Sequence, residues 1–200
     1  MSPQDFRHSS FHGRIGIARA DITPPVGIYS RNWGAAKHDT AESIHRPLTL
    51  TAMTLTPMTG GVPLIFIDAD LGWWKTPQTF HKFRQRLLET VSLDTAQLIF
   101  ALSHTHAGPP LMEPDESLPG SDLLRMWMEQ LFQSTVDAIN ESLASQFEAT
   151  LDWHQGRCGL AKVRDLPDPD TTKNRVVCGY NPAGEPDDTL LVGRITDMRG

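Results

Sequence analysis

Pro63-Leu64-Ile65-Phe66-Ile67-Asp68-Ala69-Asp70 and Gln97-Leu98-Ile99-Phe100-Ala101-Leu102 are the segments that decide the fold. Each is a near-continuous apolar run of strand length, the pattern of a strand buried on both faces. Between them, residues 77–91 carry Phe80, Phe83, Leu87, Leu88 and Val91 at helical spacing, with Pro77 suited to a first turn. Strand, helix, strand over this distance predicts a βαβ unit with parallel strands. The fold class is therefore α/β, with a mixed or parallel sheet and flanking helices.

Upstream, Leu48 to Thr56 alternates apolar residues with threonines and reads as a strand. Thr59-Gly60-Gly61 is a turn signal, so this strand and the one at Pro63 form a hairpin-like pair. Gly13 to Ala20 reads as a short strand with Ile15 and Ile17 on one side, stopped by Pro24-Pro25. Residues 26–46 form a long loop, and long loops are often functional. Downstream, a Pro/Gly-rich loop spans 107–120, and a helix runs from about Asp122 to Ala144 with Ser121 as N-cap. A strand begins near Thr150, residues 164–188 read as loop, and Thr189 to Thr196 forms a last strand. Residues 1–12 read as a flexible leader and 13–200 as one domain that ends on a turn, the expected form of an N-terminal part of a longer protein.

The 200 residues carry a formal net charge of −6 and 39% apolar residues. That is enough to pack a core, and the acidic balance argues against a nucleic-acid binder. No apolar run reaches the roughly 20 residues of a membrane-spanning helix. The first twelve residues lack the apolar centre of a signal peptide, so a cytoplasmic location is expected. Cys158 and Cys178 are expected to be free thiols, packed as small buried hydrophobes.

The chemistry concentrates at Ser103-His104-Thr105-His106-Ala107-Gly108-Pro109, just past the second apolar strand. That end of the strands is where sites collect in open α/β sheets. If the extended backbone continued to His106, both imidazoles would point to one side. Neutral imidazole is a good zinc ligand, and a catalytic zinc takes three protein ligands and a water. Two histidines cannot complete such a site. Asp70, at the end of the neighbouring strand, is placed to hydrogen-bond a ligating imidazole and fix its tautomer. Trp73, Trp74 and Trp127 are candidates for an apolar substrate wall, although tryptophans more often belong to a core.

Four segments resemble the neutral/alkaline non-lysosomal ceramidase family. They are Gly16-Ile17-Ala18-Arg19-Ala20-Asp21-Ile22-Thr23-Pro24, Ile44-His45-Arg46-Pro47-Leu48 through Leu55, Asp68-Ala69-Asp70-Leu71-Gly72, and Ser103 to Pro109. The last is the specific one. The resemblance implies that His104 binds zinc and that His106 lies beside the metal and assists catalysis. It places His45 near the site and makes Arg164, in Ala161-Lys162-Val163-Arg164, a substrate contact. The family's remaining ligands (a later histidine, a glutamate and a tyrosine) have no counterpart here. Where the family continues its motif with Gly-Gly-Tyr, this chain has Pro110-Leu111-Met112.

The function implied is a zinc-dependent hydrolase of an amide (N-acyl) bond, acting on a small-molecule or lipid amide. Zinc would lower the pKa of a bound water toward ~7, and the resulting hydroxide would attack the carbonyl carbon. The alternative is a catalytically inactive fragment, or a ligand- or metal-binding domain that lacks the other zinc ligands.

Overall fold

The structure, a computed structural model, describes residues 9–199. Residues 1–8 of the expected leader lie outside the described residues. The described residues form two compact units, one from Gly13 to Ala149 and one from residues 9–12 together with residues 150–199.

The larger unit is built on β1 (Phe11–Asp21), β2 (Thr49–Pro57), β3 (Leu64–Ala69) and β4 (Leu98–Leu102), with α1 (Pro77–Thr90) and α2 (Ser121–Ala144). Its strand order is β4-β3-β2-β1, followed by β5 (Phe147–Arg157), which begins in this unit. β1 pairs antiparallel with β2, and β2 antiparallel with β3, as the hairpin reading requires. β3 and β4 run parallel, Ile65 opposite Leu98 through Ala69 opposite Leu102, with α1 as the crossover. The sheet is therefore mixed, and the βαβ unit lies where the apolar periodicity puts it.

Local chemistry sets the helix ends. Thr76 caps α1, its hydroxyl accepting from Thr79 N at 3.2 Å, and Pro77 occupies the first turn, where a missing N–H costs nothing. α2 differs from expectation. Gly120, at φ +72°, is its N-cap, and Ser121 is the first helical residue with a buried, unpartnered hydroxyl. A three-residue 3-10 turn at Thr95–Gln97 precedes β4, so the strand starts at Leu98 and not at Gln97.

The core lies on one face of the sheet. Ala18, Leu50, Ala52, Ile65, Ile67 and Ala69 pack with Phe83, Leu87 and Leu88 of α1 and Leu124, Trp127, Leu131 and Ile139 of α2. Fully burying each Leu or Ile stabilises by roughly 1.5–3 kcal/mol. Full burial on both faces does not hold for β3: Ile65, Ile67 and Ala69 are buried, Leu64 and Phe66 are half-buried and Asp68 is exposed. Ile17, Met53, Phe66 and Ile99 are opposite one another on the other face, and Ile17 and Ile99 are each 47% exposed. Ile17 is thus outward, while Ala18 supplies the inward residue of β1. The reason is that both helices pack on the Ala18 side.

In the smaller unit β5 neighbours β8 (Thr189–Asp197). The span read as loop contains a two-stranded ribbon, β6 (Asp165–Pro167) with β7 (Val176–Cys178). Its strands are three residues long, too short to leave a periodic signal. Cys158 and Cys178 are both free, but neither is the buried hydrophobe expected: Cys158 is half-buried, and Cys178 is exposed on the mostly exposed β7. No helix among the described residues is long and apolar enough to cross a membrane.

Candidate functional site

The motif begins where β4 stops. Ser103 N still donates to Ala69 O at 3.0 Å, the last tie to β3. His104 then adopts φ +59°. A non-glycine residue in this left-handed region stores roughly 1–3 kcal/mol of strain, and such residues gather at functional sites. The extended continuation expected for His104 to His106 is therefore absent. The two imidazoles still come together, with ring centroids 5.5 Å apart. A turn brings them together, not strand alternation.

Two indoles frame the pair. Trp73 stacks on His104 at 5.1 Å with 26° between planes, and meets His106 edge-on at 5.5 Å. Trp33, from the long loop, contacts His106 at 4.8 Å. Lys75 Nζ lies 4.6 Å over the Trp73 ring and donates to Asn32 O. Partial desolvation holds its pKa below the ordinary lysine value. The other two tryptophans expected at a substrate wall are structural. Trp74 packs against Phe80, Phe83 and Phe100, and Trp127 is buried with its Nε1–H bonded to Ile22 O at 2.9 Å.

Asp70 sits beyond β3, and its Oδ2 accepts from Thr49 N at 3.1 Å and Thr49 Oγ1 at 2.9 Å. Its own N–H returns a bond to Thr49 O at 2.9 Å. The carboxylate is thus oriented by β2. Asp70, His45, Thr105, Ala107 and Gly108 all line one cavity of about 380 Å³, together with Ile44, Pro47 and Leu48. His45 is exposed on its rim loop. The larger unit therefore gathers His45 and Asp70 around one cavity and sets His104 and His106 side by side on the segment that borders it. Arg164 belongs to the smaller unit, where it is exposed and its carbonyl accepts from Gly179 N at 2.9 Å.

Two site residues escaped sequence reading: Asn32 and Trp33. Only the length of their loop pointed toward function. Asn32 is 2% exposed, and neither Nδ2 nor Oδ1 has a hydrogen-bond partner.

The chemistry of His104 and His106 suits zinc, and both are exposed enough to meet an ion. Among the described residues, however, no three His, Cys, Asp or Glu side chains cluster to hold one.

No protein-family model matches the sequence, and no curated protein matches it. Solved structures do match. A neutral ceramidase from Pseudomonas aeruginosa aligns with a TM-score of 0.69 and 17% identity, over 95% of this chain and 30% of that one. A ceramidase complexed with C2 aligns with a TM-score of 0.63 and 18% identity, again over 95% and 30%. The fold is ceramidase-like. This chain spans about 30% of the length of each of those proteins.

Proposed function

We propose that this chain carries one side of a hydrolase site that cleaves an amide (N-acyl) bond, with zinc held partly by His104 and with His106 assisting beside it. The observation that supports the reading is the pairing of two imidazoles, 5.5 Å apart, on a strained turn at the C-terminal edge of parallel strands in a ceramidase-like fold. Zinc, when bound, supplies a Lewis acid that polarises the acyl carbonyl and activates water. The chain's own residues do the rest. His104 offers an imidazole donor. His106, held between two indoles, is placed to donate a hydrogen bond to developing negative charge or to move a proton to the leaving amine. Asp70 and His45 line the neighbouring cavity, which is sized for an acyl or amine group. An N-acyl lipid is the substrate class we propose, in line with the ceramidases whose fold this chain resembles, and Arg164 is proposed as a substrate contact.

The test is hydrolysis of N-acyl amines by the intact protein, with and without a chelator, beside His104→Ala. The expected loss is roughly 100-fold or more in kcat/KM under either treatment. Activity that survives both sinks the reading. A second reading, ligand or metal binding without catalysis, is favoured by the incomplete donor set among the described residues. Stoichiometric zinc without turnover would decide for it.

A further inference from the structure

Asn32 is a polar side chain held out of solvent, yet neither its Nδ2 nor its Oδ1 bonds to anything. Buried amides are almost always paired, so an orphan calls for an explanation. Its surroundings supply one. A Cβ built on Gly72 would lie 2.3 Å from Asn32 Nδ2 and 3.0 Å from Thr105 O. The carboxamide donor and the Thr105 carbonyl therefore converge on one point, kept open only because residue 72 has no side chain. Thr105 is the residue between the two histidines. The backbone at Asn32 is itself anchored by Lys75 Nζ, and the next residue, Trp33, contacts His106. Three separate segments, 32–33, 72–75 and 104–106, meet here around one unused donor.

We propose that Asn32 is a positioning residue for His104-Thr105-His106: its carboxamide donates to the Thr105 carbonyl when the two imidazoles engage an ion or a substrate. His104 holds a left-handed backbone that nothing in its own side chain explains. A bond to the following carbonyl would pin the turn and so the separation of the two rings. The proposal rests on the reading of these histidines as a zinc-dependent hydrolase site, and it deepens that reading.

The test compares the intact wild-type protein with Asn32→Leu, which keeps the branched shape and removes both polar atoms. Three quantities are measured: the thermal midpoint, Zn2+ affinity by calorimetry, and kcat and KM on a chromogenic N-acyl anilide. Replacing an unpaired buried amide with an apolar group leaves the fold intact or firmer. The expected result is a midpoint that does not fall, with Zn2+ affinity and kcat each lower by roughly 10–100-fold, the size seen for groups that orient ligands. KM should change little. If Asn32→Leu fails to fold, Asn32→Asp, which keeps the shape without the donor, is measured instead. Failure of both to fold makes Asn32 a structural requirement and overturns the proposal. Wild-type affinity and turnover in a folded variant also overturn it while leaving the hydrolase reading intact. A wild-type protein with neither Zn2+ binding nor turnover removes the hydrolase reading, and the proposal with it.

Discussion

Two glycines in the larger unit let separate segments approach closely, and their surroundings differ in kind. At Gly16, in β1, an added Cβ would lie 1.7 Å from Ser142 O of α2. The polar groups there are closed. Thr54 Oγ1 donates to Ser142 O at 3.2 Å, Ser142 Oγ donates to Ile139 O at 3.0 Å, and Gln146 Nε2 reaches the hydroxyls of Thr54 and Thr56 at 3.0 and 2.9 Å. At Gly72 an added Cβ would meet the Asn32 amide, which has no partner, and the carbonyl after a residue at φ +59°. The first junction has satisfied its bonding and holds no strain at a side-chain-bearing residue. The second holds both unmet hydrogen-bonding capacity and backbone strain. Proteins tolerate that combination mainly where something is to be bound.

The largest expected effect tests the closed junction. Gly16→Ala forces a methyl into the carbonyl of a helix that is packed along its length, so relief requires moving α2 off the sheet. Overpacking of this kind costs about 3 kcal/mol, measured by urea denaturation. Activity per folded molecule should be unchanged. Gly72→Ala is the matching test of the open junction. The nearest atom is the end of a side chain that can swing away, so the expected cost is smaller, about 1–1.5 kcal/mol. The functional cost should be larger, because the displaced group is the Asn32 donor. If Gly72→Ala costs as much stability as Gly16→Ala and leaves turnover intact, the two junctions are alike and the contrast fails.

The same contrast explains what the sequence made legible. The β3-α1-β4 unit is read from apolar periodicity because burial against α1 and α2 selects for it at every turn. Leu87, Ile65 and Ile67 carry that signal directly. Burial on one face only was not legible, since Phe66 and Ile99 are as apolar as their buried neighbours. At the site, His104 and His106 were visible as residues but not as geometry: a strand pattern cannot announce a left-handed turn at a histidine. Asn32 and Trp33 lie in a loop with no periodicity, and their roles come from contacts with residues about forty and seventy positions away in the chain, Lys75 and His106. Trp73, Trp74 and Trp127 look alike in sequence, and only packing separates the one beside the histidines from the two in the core.

The smallest expected effect carries the sharpest sign. His104 pays for φ +59° because its Cβ crowds the backbone, a cost that glycine does not bear. His104→Gly should therefore gain about 1 kcal/mol from relieved strain. It loses the stacked contact with Trp73, worth about 0.5 kcal/mol at an exposed position. The net expectation is a rise of about 0.5 kcal/mol in unfolding free energy, together with loss of hydrolysis. His106 has no positive φ, so His106→Gly relieves no strain, gives up contacts with both Trp33 and Trp73, and should lower stability. Opposite signs at two histidines one residue apart would locate the stored strain at His104 and tie it to function. Equal losses at both would mean that the left-handed turn costs nothing, and that the strain distinguishing the Gly72 junction from the Gly16 junction is not there.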